Sequence, residues 1–535
     1  MIQNAFMCGY MMCLNIYVCV LPPIDHVRGV RMMPIDKDSL AYKELAHERM
    51  KSSIQVLGED IILENICQYL AVTDIKALAS CCKALREMLS TNAAYHLMFL
   101  KMFGSYGPFG VDSYDWKSLF EWHSSKLVSL FTWGSGGNGR LGYLLKEISK
   151  SALSLRTLGV CHPCKVANFD GMTLQSLSAG GFSFQVLAEG QIFSTGVSIA
   201  MNHRFHQPGP SQNDYVDAVA IRKLQGPNTV SLIESSLVTR MKLPRDRIIT
   251  AISSGRQHFV ALDDRGQVLT WDNGTEDWTV GVYLNFNIPR SFVTKVKAGW
   301  NSTACYLPQS GLLVILSREN VRVDANLKEW PSANAIYRIV PKSKHLVDFI
   351  ALDGCVVFID ESGCLKLYTI DEENQLIENP QGVSEFNEWL TRRDSRGGSC
   401  ASFTKLVGCF KTLVTFTNEG SVLIGKFDDE KFHLTIIPEL QNRSIVDVAV
   451  GDYHFLALTV DGELLSWGLE SQKNGCLGLG DASSFKDPSI VREEGRSFRV
   501  LKPTVIKKPK ESGRWLRLAG AGWHSGAFFA SGIRR

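Results

Sequence analysis

Two arrangements in this sequence carry residue types that could do chemistry. One is Cys161-His162-Pro163-Cys164, a single CxxC. Two thiols so spaced can exchange with disulfides, or supply half of a zinc site. Redox work needs the pair where a strand feeds a helix, and zinc needs a second pair. The 14 cysteines include no second CxxC, and the flanking stretch reads as loop. These thiols are therefore expected to be structural and reduced. The other arrangement is a histidine, His258, His454 and His524, that recurs at one position of an internal repeat. Imidazole is the general acid–base group of neutral pH. Recurrence at one place in several copies, however, points to a structural hydrogen bond rather than a catalytic set. There is no P-loop, HExxH, GxSxG or repeated carboxylate pair. The reading is a non-catalytic protein with no cofactor and no metal.

The elements that position these residues follow from length and composition. With 535 residues, the chain has room for one large repeat domain and a small one. It is 45% hydrophobic and 21% charged, which is globular composition. The net charge of +3 gives no general drive toward nucleic acid or acidic membranes. The stretch Ala5–Ile24 is uncharged and apolar but lacks a preceding basic region, and Asn15, Pro22 and Pro23 interrupt it. Three readings stay open for it: an untranslated or unordered leader, a docking helix, and a membrane anchor. With the polar, helix-prone segment after it, this makes a first region, 1–50. Everything downstream reads as a soluble body, cytoplasmic or nuclear, for which membrane binding is not expected.

Residues 52–100 read as a small all-α module. Ile62, Ile66, Tyr69 and Leu70 share one helical face. Thr73 or Asp74 is expected to cap a second helix carrying Ile75, Leu78, Ala79, Cys82, Leu85, Met88 and Leu89, and Asn92 a third. The run Leu57-Gly58-Glu59-Asp60-Ile61-Ile62, Ile66, Tyr69-Leu70, Asp74-Ile75, Leu78 and Cys81-Cys82-Lys83 resembles an F-box, and Asn92-Ala93-Ala94-Tyr95 its end. Gly58 stands where many members have Pro, and Tyr95 where many have Trp. The resemblance implies a Skp-type adaptor and its cullin as partners. The adaptor-facing positions it implies are Leu57, Ile61, Ile62, Ile66 and Leu70, joined by Ile75 and Leu78.

A helical connector, 101–129, with Asp115-Trp116, Leu119-Phe120 and Leu127, leads into strand-and-turn grammar from 130 to 535. Seven segments repeat a small residue–Gly pair, an apolar strand, a turn ending in Gly and a second strand. The clearest runs from Val450-Gly451 through His454, Asp461-Gly462 and Trp467-Gly468. Turn glycines fall at 190, 266, 311, 363, 420 and 462, a blade-length spacing with insertions. The last copy stops at Ala530-Ser531-Gly532, and the first has only the other half, Leu130-Phe131-Thr132-Trp133-Gly134. The two halves complement each other. Pairing them would close a ring and remove exposed strand edges. The expectation is an α+β multidomain chain: the helical module, then an all-β seven-bladed propeller closed by its N- and C-terminal strands.

Trp133-Gly134, Gly139-Arg140-Leu141-Gly142 and Asn474-Gly475-Cys476-Leu477-Gly478 resemble the regulator-of-chromosome-condensation repeat. An F-box before such a propeller resembles ubiquitin-ligase receptors. That resemblance implies a substrate-recognition subunit of a Skp–cullin–F-box ligase, with a protein substrate held by the propeller. The alternative is small-GTPase exchange or chromatin binding; the absence of a basic tail speaks against nucleic acid. Interface residues are sought just after the repeated Gly, at Arg256, Trp300, Tyr453 and Trp523. The insertions at about 197–250 and 366–405 are alternative contact surfaces.

Overall fold

The computed structural model describes residues 59–154, 159–196, 237–272, 278–321, 329–370, 380–394, 401–428, 431–485 and 487–532. The apolar leader, the first polar helical segment and Leu57 lie outside them. The chain divides into two compact units. One holds residues up to Met102 together with Tyr114–Phe120, and the other holds Phe103–Ser113 and everything from Glu121. Among the described residues no helix is long and apolar enough to cross a membrane.

In the first unit, helices α1 (Glu59–Asn65), α2 (Val72–Cys81), α3 (Lys83–Met88) and α4 (Asn92–Phe103) follow in turn, and α5 begins at Trp116 and runs to Ser124. The second expected helix is two helices, because the chain turns extended at Cys82 (φ −154°, ψ 167°). It also starts earlier than Thr73. Asp74 sits inside the first turn, where its carboxylate accepts the Ala71 N–H at 3.3 Å. Asn92 does not cap α4. Thr91 does, its hydroxyl oxygen accepting the Ala94 N–H at 3.3 Å. Asn92 instead pins the segment before α5: its Oδ1 accepts the Trp116 N–H at 2.8 Å and its Nδ2 donates to the Tyr114 carbonyl at 3.0 Å. Trp116 is thereby set into the core against His96 and Phe99.

The second unit is a propeller-like set of antiparallel sheets. Expected seven separate blades, the described strands instead form six sheets, five of blade size with four or five strands and one with eight. The physical reason is an edge pairing. The outer strand Val282–Asn285 of one four-stranded meander bonds in parallel to the outer strand Ser332–Ile339 of the next, fusing them. Closure follows the complementary halves. Val128–Ser135 pairs antiparallel with His524–Ala530, from Val128 opposite Ala530 to Gly134 opposite His524. The innermost strands (Leu174–Ala179, Ile249–Ser254, Lys295–Ala298, Leu346–Ala351, Phe403–Cys409, Ile445–Val450 and Arg514–Ala521) each lie against the next and return to the first, around a central channel.

The six turn glycines all adopt positive φ, from 70° to 96°. The repeated Gly before each channel loop has a different cause. A Cβ on Gly255 would meet the Gly299 carbonyl oxygen at 2.2 Å, and one on Gly299 the Ala351 backbone at 2.8 Å. At these two positions consecutive channel loops approach too closely for any side chain.

The CxxC lies in a strand, Gly159–Val166, not in a loop. This strand is the outer edge of its sheet, where Pro163 leaves no ladder bond unmade. A register shift in the pairing with Val128–Ser135 falls between Cys161 and Cys164. Burial pushes the Cys161 thiol up to about 12 and the Cys164 thiol up to about 11. Both are free and protonated at neutral pH.

Candidate functional site

The site grows from the channel loops. At four of the seven channel loops a backbone N–H donates to a carbonyl of another channel loop. Gly181 donates to Arg256 at 3.1 Å, Arg256 to Trp300 at 3.2 Å, Asp353 to Phe410 at 2.9 Å, and Asp452 to Gly522 at 3.0 Å. These bonds tie the loops into three groups and leave their side chains to define the mouth. A cavity of about 60 Å³ opens there, lined by Arg256, Trp300, Cys409, Phe410 and the neighbouring glycines.

Two of the four sequence-derived interface residues meet at this mouth. The Arg256 guanidinium lies 4.4 Å from the Trp300 ring centre. Trp300 in turn packs on Phe410 at 4.4 Å, and the Lys411 ammonium lies 5.8 Å over Phe410. The result is a cation–aromatic row across adjacent loops. Trp523 is half-buried, and its indole N–H has no acceptor among the described residues. Tyr453 is 53% exposed and does not line the cavity.

Phe410, Asp452 and Arg140 were missed. Asp452 follows Gly451 directly, so the rule that selected Arg256 and Trp300 selects it too. Tyr453 is one position too far along. Burial pushes the Asp452 carboxyl up, against the pull of Arg256 and Arg140. Its Oδ1 has no hydrogen-bond partner among the described residues. Arg140, from the Gly-Arg-Leu-Gly signature, is buried. Its Nε donates to Gly137 at 2.9 Å and its Nη1 to Gly181 at 3.3 Å. Burial lowers its guanidinium to about 10 despite the Asp452 carboxylate. The mouth therefore presents aromatic surface and Arg256, whose charge, with that of the buried Arg140, acts on the half-buried Asp452 carboxylate.

Two of the three recurring histidines make structural hydrogen bonds. His258 Nε2 bonds Thr303 Oγ1 at 2.8 Å, and His454 Nε2 bonds Ser525 Oγ at 2.7 Å, each joining one meander to another. Ser525 Oγ also donates to the Cys476 carbonyl at 2.9 Å, as does Trp133 Nε1 at 3.1 Å. The buried Glu470 carboxylate accepts the N–H groups of Gly475, Cys476 and Leu477 at 2.7–3.1 Å. The Asn474–Gly478 signature thus builds a packed loop, not a reactive one. Among the described residues no group of three or more His, Cys, Asp or Glu is placed to hold a metal ion.

The two alternative surfaces divide. Of the 197–250 insertion, residues 237–250 are described, and Arg240–Arg245 line an open outer groove of about 790 Å³ with Gln191 and Trp330. The groove is larger than the channel mouth, but none of the single interface residues picked from the sequence lies in it. Of 366–405, the helix α6 (Ser384–Asp394) buries Phe386 and Leu390 in a sheet core.

In the first unit the adaptor-facing candidates split by burial. Ile61 is 45% exposed, and Ile66, Leu70 and Leu78 are half-buried. Ile62 and Ile75 are buried within the unit, at 2% and 1% exposure. They are committed to its own core.

Comparison with known proteins adds the following. Residues 445–476 match the regulator of chromosome condensation (RCC1) repeat. The chain is 35% identical to SCF-associated factor 1 of Saccharomyces cerevisiae over 293 residues, 52% of this chain and 41% of that protein. The match therefore spans less than half of that relative. It is 24% identical to F-box protein pof9 of Schizosaccharomyces pombe, over 90% of this chain and 91% of that protein. A chain in the crystal structure of Kap60 bound to yeast RCC1 (Prp20) aligns with a TM-score of 0.50 at 12% identity, covering 76% of this chain and 90% of that one. That likeness concerns the fold. Together the similarities support an F-box protein with RCC1-type repeats.

Proposed function

We propose that this chain is the substrate-recognition subunit of a Skp–cullin–F-box ubiquitin ligase. In this reading residues 52–100 are the F-box, 101–129 the connector and 130–535 the substrate-binding propeller. The observation that carries it is one chain pairing a small helical unit, with apolar side chains left in solvent, and a propeller-like body whose loops form an aromatic, cationic mouth. The names of the relatives, SCF-associated factor 1 and F-box protein pof9, support it.

The adaptor would meet Ile61 first, with Ile66, Leu70, Leu78 and Leu57 around it. Ile62 and Ile75 would hold the helices in register from inside. The chain would do no bond chemistry. It would hold a substrate close to a charged conjugating enzyme on partner subunits, raising the local concentration of the acceptor lysine. Arg256, Trp300 and Trp523 would supply the substrate contact, with Tyr453 at its rim.

Co-precipitation with a Skp-type adaptor tests the reading. Ile61→Asp is expected to lower adaptor affinity at least tenfold while leaving the melting temperature unchanged, because Ile61 is exposed and its burial in an interface is worth about 1.5–3 kcal/mol. No binding by the intact chain sinks the proposal. Trp300→Ala is expected to keep adaptor binding but lose captured substrate, read by comparing co-purified proteins with and without the substitution. Identical capture by both forms would remove the channel mouth from the mechanism.

A further inference from the structure

The channel mouth is shaped for the end of one side chain. Its floor is glycine and alanine, and at Gly255 and Gly299 a Cβ would strike the next loop. The cavity of about 60 Å³ is far below the roughly 300–1,000 Å³ of a small-molecule pocket. The large side chains that line it are Arg256, Trp300 and Phe410.

Arg256 is exposed, and its side chain makes no hydrogen bond or ion pair among the described residues. Its guanidinium lies over the Trp300 ring, 4.4 Å from the centre, and Trp300 is itself held against Phe410. The ring faces the cation but accepts none of its in-plane hydrogen bonds. A fork of donors is therefore presented at the cavity on a packed aromatic base, with no acceptor yet assigned to it.

Charge decides the occupant. No carboxylate lines the cavity among the described residues. The channel loops carry two, Asp353 and Asp452. Asp353 Oδ1 accepts the Asn301 amide at 3.5 Å. The Asp452 carboxylate feels both Arg256 and Arg140 without forming an ion pair to either. Against these two stand three cations, Arg140, Arg256 and Lys411. One positive charge is left over. A single carboxylate balances it, and its two oxygens match the guanidinium fork. A phosphate dianion would overshoot the balance and add a second charge beside Asp452.

We propose that the mouth selects its substrate by an acidic residue, Asp or Glu, whose carboxylate is taken by the Arg256 guanidinium while its stem lies on Trp300 and Phe410. That the occupant belongs to a protein to be ubiquitinated rests on the receptor reading above. The chemistry of the mouth is tested apart from it.

The test uses the full chain and fluorescein-labelled nonapeptide pools, degenerate except for a fixed central Glu, Gln, Lys or phosphoserine. Binding is read by fluorescence polarisation at low salt. The Glu pool is expected to bind about tenfold tighter than the Gln pool, the size of one charge-assisted bond. Arg256→Gln is expected to erase that preference with an unchanged melting temperature, because Arg256 is exposed. Arg256→Lys keeps the charge without the fork and should retain only part of the preference. Lys510→Gln removes one exposed charge elsewhere and should bind as the parent. Equal binding of the Glu and Gln pools, a preference that survives Arg256→Gln, or tighter binding of the phosphoserine pool would each overturn the proposal. The comparison of pools on the unaltered chain decides even without a variant. Adaptor co-precipitation of the same preparation separates the two readings. Adaptor binding without the Glu preference sinks the acidic occupant alone, and the Glu preference without adaptor binding sinks the ligase alone.

Discussion

Phe528→Asp is expected to prevent the sheet body from forming, with the protein recovered as aggregate. Phe528 is 1% exposed on the last strand, His524–Ala530, every residue of which is buried. That strand is interior to its sheet. It bonds Val128–Ser135 on one side and Arg514–Ala521 on the other. Phe528 stands opposite Leu130, itself 0% exposed. Leu130 offers a carboxylate there no partner, and Arg517, opposite on the other strand, already donates to the Phe103 and Ser105 carbonyls, so burying the charge costs several kcal/mol. That is a large part of the 5–15 kcal/mol that holds a domain together. The loss also spreads. An open ring exposes two strand edges and unseats Ser525, which bonds His454 and Cys476. Leu130→Asp, nearly 400 residues earlier in the chain, should have the same outcome. Normal soluble yield with an unchanged melting temperature in both variants would show that the terminal strands do not hold the body closed.

The second large effect is acid lability. Burial lowers the imidazoles of His123, His258, His454 and His524, with His454 brought down to about 4. A group whose folded pKa is depressed stays neutral in the fold while the unfolded chain takes up a proton. Its stabilisation is therefore complete above about pH 6.5 and is lost as pH falls toward the folded value. For His454 alone this is about 2 kcal/mol at pH 5, from about 1.4 kcal/mol per pH unit. Glu470 and Asp452 act in the opposite sense, since burial raises both carboxyls and protonation suits the fold. Four histidines outweigh two carboxyls between pH 6.5 and 5. The melting temperature should fall steeply over that window. His454→Gln, which keeps a donor toward Ser525, should make the fall shallower. A flat profile, or an unaltered slope in the variant, would count against buried neutral histidines.

The sequence by itself determined much of this. The turn glycines, the repeated small residue–Gly pairs and the complementary half-copies at the two ends were all legible, because each is a local demand of the backbone. Glycine is required wherever φ is positive or two chains nearly touch. The apolar run from Ile61 to Leu89 was legible as helix for the same reason, since spacing alone sets a helical face. Arg256 and Trp300 were found because the repeat fixes their loop position.

Only the tertiary structure decided the rest. Pairing between Val282–Asn285 and Ser332–Ile339 depends on where two outer strands arrive in space, and no period encodes it. Ile62 and Ile61 are neighbours of one residue type, yet one is core and the other surface, since burial depends on which helices arrive on each side. Asn92 looked like a cap, but a residue 24 positions away took its carbonyl oxygen. The pairing of Lys295 with Asp348 and of Lys405 with Asp447 became visible only when strands from distant parts of the chain were set side by side. Side-chain partners across long sequence separations are properties of the assembled ring, where each carboxylate has already chosen its cation.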